Sequence, residues 1–214
     1  MRIGLYGGSF NPAHAGHRHV SLLALRRLGL DRIWWIVTPG NPLKDWGELA
    51  STAERVAQAR QVAAHPRIEV TSFEDEIGAR YTVDTLAFLV RRCPEVNFVW
   101  VMGADNLAGF HRWRGWQTIA TLMPILVVDR PGFTLTAARS RAAVRLSPYR
   151  LDERAARALP AMRPPAWLFL HGPRSSLSST ELRRSRSSPA EGRGQDPLSS
   201  AELRRSRSSS LKGR

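Results

Sequence analysis

Along the first 171 residues, short apolar runs alternate with stretches whose apolar positions recur at helical spacing. Residues 2–6 (RIGLY) read as a buried strand, and residues 17–28 place Val20, Leu23, Ala24 and Leu28 on one helical face. Residues 32–37 (RIWWIV) form a second predicted strand, closed by Thr38-Pro39-Gly40. A helix is predicted over 52–64, a short strand over 67–70 (RIEV), and a helix over 82–92 with Val83, Leu86, Leu89 and Val90 turned inward. Strands over 98–102 (FVWVM) and 125–129 (ILVVD) flank a helical stretch around 105–121, and residues 166–171 (AWLFLH) make a last strand. Such alternation predicts an α/β fold, a Rossmann-like doubly wound parallel sheet with helices on both faces and right-handed crossovers.

Residues 172–214 break this pattern. They are rich in Ser, Arg, Gly and Pro, and they contain a repeat: LSSTELRRSRSS (177–188) returns as LSSAELRRSRSS (198–209), with Ala201 in place of Thr180. Two copies are too few for a solenoid. The expected organisation is one domain over 1–185 and a disordered Ser/Arg-rich tail over 186–214.

The chain has 214 residues, of which 43% are hydrophobic, enough for one well-packed domain. A single cysteine, Cys93, excludes an intrachain disulfide framework and any multi-cysteine zinc site. No run approaches the ~20 apolar residues of a membrane helix, and no apolar leader precedes the first strand, so the expected location is the cytoplasm. Net charge is +14, and thirty of the 32 basic residues are arginine. Residues 172–214 hold ten basic and four acidic residues. For that tail, polyanion binding and plain coding composition are equally good explanations.

Chemistry concentrates in GGSFNPAHAGH (7–17), between the first strand and the first helix. Ligands of open parallel sheets bind at the carboxyl ends of strands, near the point where strand order reverses. Gly7 and Gly8 permit close backbone approach, Asn11-Pro12 predicts a turn, and the N–H groups of the following helix start favour an anion. His14 and His17, three residues apart, can address one ligand from one helix face. Metal binding would need a third ligand, and no nearby His, Cys, Asp or Glu cluster offers one, so a phosphate is the expected guest. The phosphate loop GxxxxGK[ST] is absent, and so is GxGxxG with an acidic residue after the second strand, which argues against a nicotinamide-dependent oxidoreductase.

GGSFNPAHAGH resembles the GGSF(D/N)PxHxGH signature of the HxGH nucleotidyltransferase superfamily, and LSSTELR (177–183) resembles its (I/L)SSTx(I/L)R signature. Within that superfamily, NPLK (41–44), RYTVDTL (80–86), MGADNLAGFHRW (102–113) and VVDRPG (127–132) are similar to bacterial nicotinate-nucleotide adenylyltransferases, over about residues 1–184. The resemblance implies the nucleotidyltransferase type of the fold and transfer of AMP from ATP to nicotinate mononucleotide, giving nicotinate adenine dinucleotide and pyrophosphate, with Mg²⁺ accompanying ATP. The alternative is a sister enzyme acting on nicotinamide mononucleotide or pantetheine phosphate. It implies His14 and His17 as the catalytic pair and an ATP site of Gly7, Gly8, Ser9, Phe10, His14, His17, Gly103, Asp105, Ser178, Ser179, Thr180 and Arg183. It assigns Lys44, Tyr81, Thr82, Thr85 and Trp113 to the acceptor, with Trp113 stacking on the pyridinium ring, and it implies no metal ligands from protein side chains. Ser178-Ser179-Thr180-Glu181 also fits a simple capping box, and Trp113 also fits core packing. Expected partners are these nucleotides; a homo-oligomer is left open, no membrane is involved, and nucleic acid binds at most weakly through the tail.

Overall fold

The structure, a computed structural model, describes residues 1–39 and 50–171. Its centre is a seven-stranded, wholly parallel sheet in the order β3-β2-β1-β4-β5-β7-β6. The strands are β1 (Arg2–Gly8), β2 (Arg32–Val37), β3 (Ile68–Thr71), β4 (Asn97–Gly103), β5 (Ile125–Val128), β6 (Arg150–Leu151) and β7 (Trp167–Leu170). The connecting helices are α1 (Ala15–Leu28), α2 (Thr52–Ala63), α3 (Phe73–Ile77), α4 (Thr82–Arg92), α5 (Ala104–Gly109), α6 (Trp116–Leu122), α7 (Thr134–Ala138) and α8 (Arg141–Arg145). A 3₁₀ helix over Glu153–Ala161 precedes β7.

The parallel strands are apolar on both faces because both faces are covered. Residues of β1 show the alternation: Tyr6 joins the cluster beneath α1 and α2, and Ile3 and Leu5 join the cluster beneath α4, α5 and α6. Trp35 and Trp100 are buried on opposite faces, whereas Trp34 is only half-buried against the second cluster. The helical stretch expected over 105–121 is broken in two, since Trp113 adopts an extended backbone (φ −74°, ψ 139°) between a 3₁₀ turn and α6. The two-residue β6 is too short to leave a period in the sequence. Strand order runs outward from β1 in one direction and from β4 in the other, so the crevice of the sheet lies at the carboxyl ends of β1 and β4. Among the described residues no helix is long and apolar enough to cross a membrane.

Candidate active site

The loop after β1 enters that crevice. At its base the position of Gly7 admits no side chain, because a Cβ there would lie 2.5 Å from Trp100 Cη2. Across the crevice, at the end of β4, a Cβ on Gly103 would collide with Asp105 Oδ1 and come within 3.0 Å of Arg130 Nε. Both glycines therefore allow large polar or aromatic groups to close on the strand ends. Phe10 is held at φ 45°, a left-handed angle uncommon for a non-glycine residue. Its ring stacks on Trp35 at 4.9 Å and 13° and touches the His17 ring at 4.8 Å.

His14 does not share a helix face with His17 as the spacing suggested. It is the N-cap of α1, with extended backbone angles (φ −152°, ψ 167°). Its Nδ1 accepts from the Gly16 N–H at 3.1 Å, and the Nδ1 of His17 accepts from the His14 N–H at 3.2 Å. A neutral ring that accepts at Nδ1 carries its proton on Nε2. The rings, 3.9 Å apart between centroids, thus fill the role of a capping box and are both set as Nε2–H donors. The N–H of Gly16 is spent on this cap and is turned onto His14 Nδ1. Burial holds the His17 pKa well below 6.5, and the charges of His14 and Arg130 lower it further against an opposing hydrogen bond to the His14 backbone. His17 is therefore neutral at pH 7. Trp35 Nε1 donates to Ser21 Oγ (2.7 Å), which donates to the His17 carbonyl (2.9 Å), and this chain fixes the first turn of α1.

Arg130, two residues beyond the β5 end, lies beside this pair and has no role in the motif reading. Its Nη1 donates to Asp105 Oδ2 at 3.4 Å, and its guanidinium faces the buried Tyr6 hydroxyl. Burial pulls the Arg130 pKa down, but Tyr6 and Asp105 together push it above its ordinary value. The Tyr6 phenol is raised by burial, with Arg130 opposing. The result is a fixed positive charge next to the neutral His17 ring. The Oδ1 of Asp105 is buried without a hydrogen-bond partner among the described residues.

Of the residues expected at the site, Gly7, Gly8, Ser9, Phe10, His14 and His17 come together around the β1 loop, and Gly103 and Asp105 face them from β4 and α5. Tyr81 and Thr82 form the N-cap and first residue of α4, with no side-chain cap closing that end. Arg114 lies 4.4 Å over the Tyr81 ring. The adjacent Trp113 is half-buried, edge-on to Trp100 (6.3 Å) and Phe110 (5.5 Å). Trp100 thus connects the floor of the β1 loop to Trp113 on the α4 side of the sheet. Thr85 points elsewhere: it is 1% exposed, and its hydroxyl donates to Glu74 Oε1 at 2.6 Å. Lys44, Ser178, Ser179, Thr180 and Arg183 lie outside the described residues. No group of three or more His, Cys, Asp or Glu side chains that could hold a metal occurs among the described residues.

Imidazole N–H donors beside a half-buried guanidinium suit the oxygens of a phosphoryl group under attack. The chain is an α/β nucleotidyltransferase. Its sequence matches the model of the cytidylyltransferase-like family over residues 5–185, and the chain belongs to that family. It is 66% identical over 184 residues to a probable nicotinate-nucleotide adenylyltransferase of Methylorubrum extorquens, covering 86% of this chain and 99% of that protein. It is 58% identical to a protein of the same description from Brucella suis, covering 86% of this chain and 95% of that one. Its fold is similar to that of Plasmodium falciparum nicotinic acid mononucleotide adenylyltransferase complexed with NaAD, with a TM-score of 0.64 at 18% identity, over 86% of this chain and 82% of the other.

Proposed function

We propose that this chain is a nicotinate-nucleotide adenylyltransferase, joining ATP and nicotinate mononucleotide into nicotinate adenine dinucleotide and pyrophosphate. The observation that carries this reading is the pair of imidazoles whose Nδ1 atoms are both engaged at the carboxyl-end crevice, in a chain 66% identical to a protein of that description. The nucleophile is a phosphate oxygen of the mononucleotide, already anionic at pH 7, so no general base is required. It forms a bond to the α-phosphorus of ATP. The bond from that phosphorus to the bridging oxygen breaks, and pyrophosphate leaves with the electron pair. Two anions must meet in line, so the work of the protein is positioning and charge stabilisation. His14 and His17 donate from Nε2 to oxygens of the α-phosphoryl group, and Arg130 supplies a fixed positive charge. Because His17 is neutral, it lends a hydrogen bond without a proton to lose.

Mg²⁺ would accompany the triphosphate. Asp105 would face such an ion, since its buried Oδ1 has no hydrogen-bond partner among the described residues and suits a water of a hydrated ion. When bound, the ion offsets charge on the triphosphate. On the acceptor side, the open start of α4 at Tyr81-Thr82 receives the nicotinate carboxylate, and Trp113 stacks on the pyridinium. A nicotinamide amide lacks the charge that a helix start rewards, which sets the preference between the two mononucleotides.

The test is pyrophosphate release with ATP, Mg²⁺ and each of nicotinate mononucleotide, nicotinamide mononucleotide and pantetheine phosphate, with the dinucleotide product identified by chromatography. Nicotinate mononucleotide should be clearly preferred, and equal or better use of another acceptor sinks the assignment. A chain ending at residue 185 should turn over like the full chain, since the family match ends there.

A further inference from the structure

Arg55 is a buried arginine on α2 whose contacts reach the β1 loop, the residues after β2 and the start of its own helix. It is 0% exposed. Its Nε donates to Ala50 O at 2.9 Å, its Nη1 to Ser9 O at 2.7 Å and Thr38 O at 2.8 Å, and its Nη2 to Pro39 O at 3.2 Å and Thr52 Oγ1 at 3.0 Å. A guanidinium has five N–H donors, and here five acceptors meet them. Burial lowers its pKa, with Asp75 opposing, but an arginine keeps its proton under any physiological condition.

The five acceptors lie at three places in the chain. Ser9 is in the loop that carries Phe10 and leads to His14. Thr38 and Pro39 follow the end of β2, Ala50 leads into α2, and Thr52 is its first residue. One planar side chain thus sets the distance from the β1 loop to both ends of the β2–α2 connection, the segment whose sequence contains Lys44. The contact at Ser9 also fixes a direction. The Ser9–Phe10 peptide is trans, so its C=O and N–H point to opposite sides. Anchoring the carbonyl on Arg55 turns the Phe10 N–H away from the buried guanidinium. It does so at the residue whose left-handed φ needs outside support.

We infer that Arg55 is a positioning residue for the transfer reaction: its fork aims the Phe10 N–H at the triphosphate and holds the β1 loop in register with the two stems of the β2–α2 connection. This rests on the adenylyltransferase reading for its kinetic readout, though not for its binding readout. Lysine keeps the charge at this position but has three donors on one atom and cannot reach three loop segments at once.

The experiment compares wild type with Arg55→Lys and Arg55→Met, and with Thr52→Ala as a milder variant that removes one acceptor and keeps the guanidinium. Each is checked for folded fraction by near-ultraviolet circular dichroism, and rates are expressed per folded molecule. Wild-type turnover with nicotinate mononucleotide is measured first. If it is absent, the functional reading fails, and the binding arm alone decides the role of Arg55. That arm is calorimetric titration with the α,β-methylene analogue of ATP. Arg55→Lys should weaken analogue binding at least fivefold and lower kcat at least thirtyfold, with KM for the acceptor changed less than kcat. Arg55→Met should be worse on both counts, and Thr52→Ala should fall two- to threefold in kcat. A folded Arg55→Lys protein with analogue affinity and kcat both within twofold of wild type overturns the inference. So does a loss that disappears when rates are corrected for folded fraction, because a purely structural residue would do no more than that.

Discussion

A histidine buried neutral makes stability depend on pH, and for His17 the sign and the ceiling can be worked out. Its side chain is 8% exposed, and burial holds its pKa well below 6.5 in the folded protein. In the unfolded chain it titrates near 6.5. Between those two values the unfolded state binds a proton that the folded state refuses, so stability is complete above 6.5 and declines as pH falls. For a folded value far below the window, the loss between pH 7.5 and 5.5 approaches ~1.4 kcal/mol. His17→Gln removes the titration and leaves an amide oxygen able to accept from the His14 N–H. The assay is urea unfolding at both pH values, followed by tryptophan fluorescence, in wild type and variant. Other groups titrate too. Glu74, whose pKa is raised by burial, acts with the opposite sign, but it is present in both proteins and cancels in the difference. Wild type should lose up to ~1.4 kcal/mol more than His17→Gln on acidification. If the two losses agree within ~0.3 kcal/mol, the ring is not held neutral, and the Nε2–H donor that the mechanism needs loses its support.

Gly7→Ala places a methyl group 2.5 Å from Trp100 Cη2 and should cost ~1–3 kcal/mol in urea unfolding, with a fall in kcat as the ring shifts under the β1 loop. Thr85→Val keeps the shape but strands Glu74 Oε1 in a buried site, so chemical unfolding at pH 7.5 should show a loss of ~1–3 kcal/mol. That loss should shrink at pH 5.5, because a carboxyl whose pKa is already raised takes up a proton more readily there. Trp113→Leu should raise KM for nicotinate mononucleotide about 3- to 30-fold, the equivalent of a ~0.5–2 kcal/mol cation–π contact, with little change in KM for ATP. Equal effects on both nucleotides would place Trp113 in the core instead.

The parts of this fold that are local in origin were readable from periodicity. Six strands leave short apolar runs because both faces of the sheet are covered, and the helices α1, α2 and α4 leave a period of 3.6 because each buries one face against the sheet. What periodicity does not encode is where a side chain goes when its backbone leaves the helix. Trp113 interrupts the 105–121 stretch, and His14, though spaced like a helical partner of His17, caps the helix from outside it. The motif named the right kind of donor, while the direction of each donor came from two Nδ1 contacts that only coordinates reveal.

Arginines were the hardest to read. Thirty of them occur in the chain, and nothing in composition separates two from the rest. Arg130 follows a strand and Arg55 sits on an amphipathic helix, both ordinary places. Their partners lie far off in sequence: Asp105 is 25 residues from Arg130, and Ser9 is 46 from Arg55. Such contacts arise only because parallel strands bring every carboxyl end to one edge of the sheet. Topology therefore makes this site as much as the motif does.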